Sequence, residues 1–121
     1  MGKCVRNGVA FHSEFEGSFY APFIALEFTN KITELALQDS VKMFINGTTV
    51  GRYTWDYSFK KDGIKYYIEC KGYMYARDIF RFKVAKAYTE NSKTKVLIVW
   101  QKPKTKKQIA DNEEFYKIVQ C

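Results

Sequence analysis

Apolar and polar positions follow a helical spacing near the N-terminus and an alternating one in the middle of the chain. Ser13-Glu14-Phe15-Glu16 has the form of a capping box and opens an apolar stretch. We therefore predict a helix from Phe15 to Phe28 that is kinked or restarted at Pro22. The alternation that follows predicts three strands: Ile32 to Leu37, Val41 to Ile45 and Val50 to Phe59. Asn46-Gly47 predicts a hairpin turn between the second and the third.

The second half of the chain predicts four further elements, the first of which follows a turn at Lys61-Asp62-Gly63. They are a strand from Lys65 to Lys71, a helix from Tyr75 to Tyr88, a strand from Lys95 to Trp100 and a helix from about Asp111 to Val119. The unbroken apolar run in the strand from Lys95 to Trp100 is typical of burial on both faces. The apolar face of the helix from Tyr75 to Tyr88 is predicted to consist of Ala76, Phe80, Val84 and Ala87.

This order of elements predicts an α/β or α+β fold, in which a mixed central β-sheet is flanked by helices. A right-handed crossover is expected to lead into the strand Lys95 to Trp100. The chain has 121 residues, which corresponds to one domain over residues 1–121. A domain of that length buries a sizeable core without metal or disulfide crosslinks.

Composition narrows the class of protein. Hydrophobic residues make up 46% of the chain and aromatic residues 17%, which indicates a globular rather than a disordered protein. No apolar run approaches the length of a membrane span, and the first residues lack the apolar stretch of a signal peptide. We therefore expect a cytoplasmic protein with no membrane partner. Cys4, Cys70 and Cys121 lack C-x-x-C spacing and predict neither a zinc site nor a disulfide framework.

The net charge of +7 is unevenly distributed along the chain. Residues 60–107 contain fourteen Lys or Arg and four Asp or Glu, a net charge of +10, whereas residues 1–59 and 108–121 carry −1 and −2. A positive excess in one contiguous region is typical of proteins that bind a polyanion, most simply nucleic acid. The alternative explanation of the charge alone is a solubilising surface.

Two carboxylates and a lysine fall at matched positions of the central hairpin. Glu69 and Lys71 are two residues apart on a predicted strand, so their side chains share a face, with Cys70 behind them in the core. Asp56 precedes Gly63 by seven residues and Glu69 follows it by six, which predicts that the two carboxylates are neighbours across the strand pair. Like charges placed so destabilise a sheet unless a cation binds between them.

Carboxylate oxygens are the ligands that Mg²⁺ prefers. The pattern therefore predicts a magnesium site at which Asp56 and Glu69 are ligands and Lys71 deprotonates or positions the water that attacks a phosphodiester. The alternative is a surface hairpin with an ordinary Glu-x-Lys pair. The matched aspartate, the apolar flank Tyr66-Tyr67-Ile68 and the glycine directly after the lysine favour the site.

The same segments resemble a known nuclease signature. Thr54-Trp55-Asp56-Tyr57, followed by Tyr67-Ile68-Glu69-Cys70-Lys71-Gly72, is similar to the motif of the PD-(D/E)XK nucleases, above all to small phage endonucleases that include Holliday-junction resolvases. The resemblance extends over about residues 12–100. Trp55 stands where the family usually has proline, at a position that does not touch the metal. The resemblance implies a restriction-endonuclease-like fold and a magnesium-dependent endodeoxyribonuclease, in which Mn²⁺ can replace Mg²⁺.

The resemblance also implies further site residues. Ser13-Glu14-Phe15-Glu16 resembles the family's N-terminal helix start, whose glutamate joins the metal site, and this nominates Glu16 with Glu14 as the alternative. The backbone carbonyl of Cys70 is implied as another metal ligand. If the chain is phage-encoded, its location is the cytoplasm of the host cell.

Seven basic residues are candidates for contact with the nucleic-acid backbone. Asp78 to Lys83 resembles the basic helix that follows the catalytic strand in the family, and Arg81 and Lys83 are the pair selected to flank the scissile phosphate. The other candidates are Arg77, Lys102, Lys104, Lys106 and Lys107. His12 is expected to be incidental. We expect Tyr73, Met74 and Tyr75 to pack a strand-to-helix corner rather than to stack on bases.

Three functions stay open at this stage. The first is a metal-dependent DNA endonuclease, which could act as a homodimer. The chain has no zinc finger or helix-turn-helix for base readout, so recognition of the DNA backbone and shape, as in an enzyme selective for branched DNA, is easier to support. The second is a protein that keeps the fold and binds nucleic acid or regulates another protein without catalysis. The third is the nuclease subunit of a larger recombination or transposition complex. The sequence does not distinguish DNA from RNA.

Overall fold

Four strands form a mixed sheet with helices on both of its faces. The computed structural model describes residues 4–6, 9–11, 13–73 and 76–119. Its elements are β1 (Cys4–Arg6), β2 (Val9–Phe11), α1 (Glu14–Gly17), α2 (Tyr20–Phe28), β3 (Thr33–Ile45), β4 (Thr48–Lys61), β5 (Ile64–Lys71), α3 (Ala76–Thr89), β6 (Thr94–Trp100) and α4 (Lys106–Val119). The sheet order is β3-β4-β5-β6. Its first three strands are antiparallel neighbours, and β6 runs parallel to β5 after the connection through α3. The predicted α+β class with a mixed sheet is confirmed.

The N-terminal helical segment is divided into two helices. Ser13 caps α1, its side-chain oxygen accepting a hydrogen bond from the Glu16 N–H at 3.2 Å. The chain then turns after Gly17, and α2 starts at Tyr20. The prediction of one helix from Phe15 to Phe28, interrupted at Pro22, is therefore wrong, because the break follows the glycine, which has low helix propensity. Pro22 lies in the first turn of α2, where N–H groups have no partner within the helix to lose.

β3 and β4 form one long hairpin. The two strands predicted separately as Ile32 to Leu37 and Val41 to Ile45 are the single strand β3. Asn46 and Gly47 form the turn with φ of 49° and 79°, which is the left-handed backbone of a type I′ turn. The predicted hairpin is confirmed. A second turn of the same kind, Asp62-Gly63 with φ of 52° and 78°, joins β4 to β5.

The sheet separates two apolar clusters. On the α2/α4 face, Phe23 packs edge-on against Tyr57, with ring centroids 4.8 Å apart. On the α3 face, Phe82 packs against Trp55, with centroids 5.9 Å apart. Truncating a buried aromatic side chain to alanine typically costs about 3–5 kcal/mol. Each cluster therefore stabilises the packing of helices against one face of the sheet.

β4 changes face in mid-strand. Tyr53 and Trp55 pack in the cluster of the α3 face, whereas Tyr57 and Phe59 pack in the cluster of the α2/α4 face. Residues two apart in a regular strand point to the same face. The alternation is therefore interrupted between Trp55 and Tyr57, at Asp56.

β3 changes face at the same level. Leu37 contacts the α2/α4 cluster and Val41 the α3 cluster, although an even number of positions separates them. Gln38 falls opposite Asp56 in the strand register and has a φ of 53°, a left-handed conformation foreign to regular strands. The half of the β3–β4 hairpin that includes its turn therefore packs on the α3 face. Asp56 lies at the level where the two strands twist from one face of the sheet to the other.

α3 buries a different side from the one predicted. Its buried residues are Phe82, Ala85 and Thr89, whereas Phe80 is 71% exposed. The predicted apolar face is wrong for all four of its residues, each of which is exposed: Ala76, Phe80, Val84 and Ala87. Apolar residues occur on several sides of this helix, so periodicity alone does not determine which of them meets the sheet.

α4 begins five residues earlier than the predicted start at Asp111. Thr105 caps it, since the Gln108 N–H donates to the Thr105 hydroxyl at 3.1 Å. The Gln108 side-chain oxygen in turn accepts from the N–H groups of Lys104 and Thr105. This is a capping box of the Thr-x-x-Gln type. The predicted basic loop is therefore split between a short connection and the first turn of α4.

Candidate active site

Glu69 and Lys71 lie side by side at the C-terminal end of β5. Their positions, two apart on the strand, direct both side chains to the α3 face, and the Lys71 Nζ is 2.9 Å from the Glu69 Oε2. Glu69 is only 3% exposed. Cys70, between them, packs against the cluster on the opposite face, as predicted. The strand thus presents a buried carboxylate and its counter-ion to one side.

Asp56 meets this pair from β4. The β4–β5 ladder ends at the pair Tyr57–Ile68, so Asp56 is the next residue of β4 and faces Glu69. The Asp56 Oδ2 accepts a hydrogen bond of 2.7 Å from the backbone N–H of Cys70. The two carboxylates are thus neighbours on adjacent strands, as the hairpin spacing predicts.

Tyr53 is a site residue that the sequence did not reveal. Its hydroxyl donates a hydrogen bond of 2.7 Å to the Glu69 Oε2, inside the protein. Regular alternation along β4 places Tyr53 and Tyr57 on one face, and only the interruption at Asp56 brings Tyr53 to the side of Glu69. A regular strand pattern in the sequence carries no signal of that interruption.

The site is electrostatically strained in the absence of a cation. Burial, followed by the charge of Glu69, raises the pKa of Asp56 to about 8. Burial also raises the pKa of Glu69, although the charge of Lys71 and the hydrogen bond from Tyr53 oppose that change. Burial, the largest single effect, would lower the pKa of Lys71, but the charge and hydrogen bond of Glu69, together with the charges of Asp56 and Asp78, raise that pKa overall. Two buried carboxylates with raised pKa values form a pair that a bound cation would stabilise.

Glu16 is the N-terminal glutamate that approaches the pair. It is 2% exposed, and its charge contributes to the raised pKa of both Asp56 and Glu69. The hydroxyl of Tyr57 donates to the Glu16 backbone carbonyl at 2.7 Å, which ties α1 to β4. Glu14 is exposed. Of the two glutamates nominated from the sequence, the structure places Glu16 towards the site.

An open cleft of about 260 Å³ surrounds these groups, between β4, β5 and the start of α3. Arg52, Thr54 and Asp78 belong to its lining and were not selected from the sequence. The complete lining is Arg52, Tyr53, Thr54, Asp56, Glu69, Lys71, Asp78 and Arg81. The lining thus combines three cationic side chains, Arg52, Lys71 and Arg81, with three carboxylates, Asp56, Glu69 and Asp78. Arginine is the side chain best suited to a bidentate contact with phosphate.

The basic candidates divide between three places. Arg81 lies at the cleft, with its guanidinium 5.8 Å from the centre of the Tyr53 ring. Arg77 is exposed on α3. Lys83 lines a separate groove between α3 and α4, together with Lys107. Arg81 and Lys83 therefore lie at two different places, because helix residues two apart point in different directions. Contact of either residue with a phosphate stays a prediction.

The remaining lysines of the predicted basic loop are exposed. Lys102 and Lys104 lie in the connection before α4, and Lys106 belongs to its first turn. His12, Met74, Tyr75 and Cys121 lie outside the described residues, and Tyr73 is exposed.

The donor set fits a hard divalent cation, since Asp56 and Glu69 offer carboxylate oxygens at one spot and Mg²⁺ commonly takes one or two carboxylates beside water. Within the described residues, no three His, Cys, Asp or Glu side chains lie close enough to hold a metal ion by themselves. Water or substrate oxygens would therefore have to complete the coordination. In the part of the chain that the structure covers, no helix is both long and apolar enough to cross a membrane.

Comparison with known proteins supports the fold. No protein-family model and no curated protein matches this chain. Among solved structures, protein VC1899 from Vibrio cholerae is similar, with a TM-score of 0.62 at 16% sequence identity. The match covers 93% of this chain and 33% of VC1899, so this chain spans about a third of that protein. At this identity the similarity shows a shared fold and nothing about activity.

Proposed function

We propose that this chain is a metal-dependent endonuclease that hydrolyses phosphodiester bonds of DNA, of the PD-(D/E)XK type. The observation that carries the proposal is the buried pair of Asp56 and Glu69, held on adjacent strands with Lys71 2.9 Å from Glu69. Burial raises the pKa of both carboxyl groups, so the ionised pair destabilises the fold. A bound cation would offset this cost, which supports a cation-dependent function.

Each residue then has a distinct task. Asp56, fixed by the Cys70 N–H, and Glu69, fixed by the Tyr53 hydroxyl, hold their oxygens towards the cleft. A bound Mg²⁺ would stabilise the negative charge that develops on the phosphodiester. Lys71 carries a positive charge, since its pKa is raised, and is therefore suited to position a phosphate oxygen or the attacking water rather than to accept a proton.

Substrate binding by charge follows from the distribution of basic residues. Residues 60–107 carry a net charge of +10 and include β5, α3 and the start of α4. Arg81 at the cleft is placed to hold a phosphate next to the one that reacts. Contacts of this kind recognise the backbone and shape of a nucleic acid and not its bases. This supports a structure-selective enzyme, for which branched DNA is the substrate to test first.

A second candidate is a protein that binds nucleic acid without cutting it. It is favoured by the absence, among the described residues, of a ready three-ligand metal site. The two candidates share the basic surface and differ in whether the carboxylate pair supports chemistry.

The test is cleavage by purified protein of a linear duplex, a single strand and a four-way junction, each with Mg²⁺, with Mn²⁺ or with a chelator. The nuclease proposal predicts products with either metal, none with the chelator and none with Glu69→Gln. Retained binding of all three substrates with no product under any condition would favour the second candidate. Products that persist with chelator and with Glu69→Gln would indicate a contaminating nuclease.

A further inference from the structure

A second groove lies beside α3 and is lined by other residues of that helix than the cleft. It has a volume of about 400 Å³ and lies between α3 and α4, on the α3 face of the sheet. Apolar side chains form its floor: Ile79, Phe82, Ile98 and Trp100. Lysines form its rim, Lys83, Lys86 and Lys107, and Asp111 is the carboxylate in its lining. An apolar floor with a few charged groups at the edge is typical of a ligand-binding pocket of this size.

Trp100 is held in one orientation by α4. Its indole N–H donates to the Asp111 Oδ2 at 3.1 Å. Its backbone N–H donates to the Asn112 Oδ1 at 2.7 Å, and the Asn112 side-chain amide donates back to the Trp100 carbonyl at 2.9 Å. Three hydrogen bonds therefore fix both the strand end and the indole ring. Trp100 is half-buried and lines the groove, so the groove contains an aromatic ring that is already held in place for stacking.

The groove begins next to the candidate active site. Lys71 and Trp100 are paired residues in the parallel ladder of β5 and β6. Neighbouring strands are about 4.8 Å apart, so the lysine of the cleft and the tryptophan of the groove lie on adjacent strands at the same level. A substrate strand that has its phosphate at Lys71 would have a neighbouring nucleotide within reach of Trp100.

The charge at the rim favours an anionic occupant. Lys83 is exposed, Lys86 pairs with Glu90 at 2.9 Å, and Lys107 pairs with Asp111 at 3.6 Å. Asp111 is largely buried, but the side chain of Lys107 is exposed, and that of Lys86 is partly so. Ion pairs of exposed lysines contribute little to stability, so these lysines can also contact a phosphate. A ligand that combines a flat apolar ring with flanking negative charges matches the floor and the rim together.

We propose that this groove binds an unpaired nucleobase of the substrate, stacked on the indole of Trp100, with the adjoining phosphates held by Lys83 and Lys107. The inference rests on the proposed function and specifies its substrate class, a nucleic acid with unpaired bases beside the scissile phosphate. Stacking on aromatic side chains tolerates any base, which agrees with recognition by shape. An acidic peptide would satisfy the lysines but offers no flat ring for Trp100.

Intrinsic fluorescence tests the groove without any need for cleavage. The chain has two tryptophans, Trp55 with no exposure and Trp100 at the groove. The wild-type protein in chelator is titrated with a short oligothymidylate, an abasic oligomer of equal length, a blunt duplex and polyglutamate. We expect the oligothymidylate to quench the fluorescence and to bind on the order of ten-fold more tightly than the abasic oligomer. Trp100→Phe should keep most of the affinity and lose the quenching.

Variants at the rim give a second readout. Lys83→Glu should weaken oligothymidylate binding on the order of ten-fold, because it reverses a charge next to phosphate. Lys93→Glu, the same reversal at an exposed lysine just before β6, should change it little. Trp100→Leu should remove the preference for bases. If circular dichroism shows that Trp100→Leu is unfolded, the Lys83→Glu titration and the quenching of the wild-type protein still test whether the groove binds a nucleobase.

Equal binding of thymidylate and abasic oligomers, or quenching unchanged in Trp100→Phe, would overturn the proposal. Polyglutamate that binds as tightly as oligothymidylate would assign the groove to an acidic peptide instead. The two proposals fail separately. Cleavage with Mg²⁺ but without quenching would reject nucleobase binding in the groove. Quenching without cleavage under any condition would reject the nuclease proposal.

Discussion

The ammonium group of Lys71 lies 2.9 Å from a carboxylate oxygen of Glu69 that is almost fully buried. Lys71 is the charged member on which the pair depends, since the charge and hydrogen bond of Glu69 help to raise the pKa of Lys71 in spite of partial burial. The sequence left two roles open for this lysine, to deprotonate or to position the attacking water. A lysine that holds its proton more firmly than usual favours the positioning role.

We predict that Lys71→Ala lowers the single-turnover cleavage rate by about 10²–10⁴-fold, the size typical of removing a catalytic side chain, while Mg²⁺ binding changes much less. Loss of the positive charge should also raise the pKa of Glu69, so the acidic limb of the rate profile should move to higher pH. Rates at several pH values and calorimetric titration with Mg²⁺ measure both effects. Lys95→Ala, an exposed lysine on β6, is the control. Abolished metal binding with an unchanged rate would show that the assigned role is wrong.

Asp56→Asn and Glu69→Gln should each lower cleavage on the order of 10³-fold or more, because a metal ion contributes several kcal/mol of transition-state stabilisation. Binding of substrate should persist or tighten, since each variant removes a negative charge near phosphate. Cleavage and binding are measured on the same junction and duplex substrates. Glu113→Gln removes an exposed carboxylate on α4 and should leave both unchanged. Wild-type rates in Asp56→Asn would remove the basis of the site.

The raised pKa of Asp56 predicts how stability depends on pH. Its pKa is about 8 in the folded protein and 3.8 as the ordinary value, so between these the folded state binds the proton and the unfolded state does not. Stability should therefore fall as pH rises through this window, with the loss complete above about pH 8. Thermal unfolding in chelator, at pH about 5 and about 9, measures the difference. Asp56→Asn should flatten the dependence, and Mg²⁺ should raise the melting temperature more at the higher pH. A dependence as steep in Asp56→Asn as in the wild type would assign it to other groups.

Local signals in the sequence were sufficient for the elements whose geometry is local. Asn46-Gly47 defined a turn, since both residues readily take the positive φ that a two-residue hairpin needs. The same dipeptide, Asn7-Gly8, stands between β1 and β2, a ladder that we did not predict although its signal was present. Thr105-Lys106-Lys107-Gln108 was likewise a readable cap for α4.

Features that depend on tertiary packing were not readable. Gln38 has a left-handed φ within a strand, which no propensity predicts for glutamine, and the twist at that level turns Tyr53 towards Glu69. The carboxylate pair itself could be predicted, because distance from a tight turn determines which residues of a hairpin face each other. The buried side of α3 could not be predicted, since Phe80 and Phe82 are equally apolar and only packing against the sheet determines which of them is buried.

Glu16→Gln tests whether the N-terminal glutamate belongs to the metal site. Glutamine can replace glutamate in a capping box, so the stability of α1 should change little. We expect Mg²⁺ affinity to fall roughly ten- to a hundredfold, as is typical when a group that supports a metal site is removed. Glu14→Gln, at an exposed position of the same helix, is the matched control. Native Mg²⁺ affinity and activity in Glu16→Gln would limit Glu16 to a structural role in α1.

The lysines that precede and begin α4 are candidates for contact with duplex phosphates. Lys106 and Lys107 lie in the first turn of a helix, where the dipole disfavours positive charge. Replacing them and Lys104 with alanine should therefore not destabilise the fold, and the triple variant reports on binding alone. If each lysine neutralises a duplex phosphate, the slope of log affinity against log salt should become shallower by roughly 0.9 for every lysine replaced.

The control is a triple variant of exposed lysines elsewhere, Lys31, Lys93 and Lys117, which removes the same charge. The decrease in affinity should be similar for unrelated sequences, because phosphate contacts carry no base information. Arg81→Ala should lower the cleavage rate at saturating substrate, since Arg81 lies at the cleft, whereas Lys83→Ala should act on affinity. Equal salt slopes in the two triple variants would mean that the start of α4 does not touch the substrate, and sequence-dependent decreases would indicate base readout.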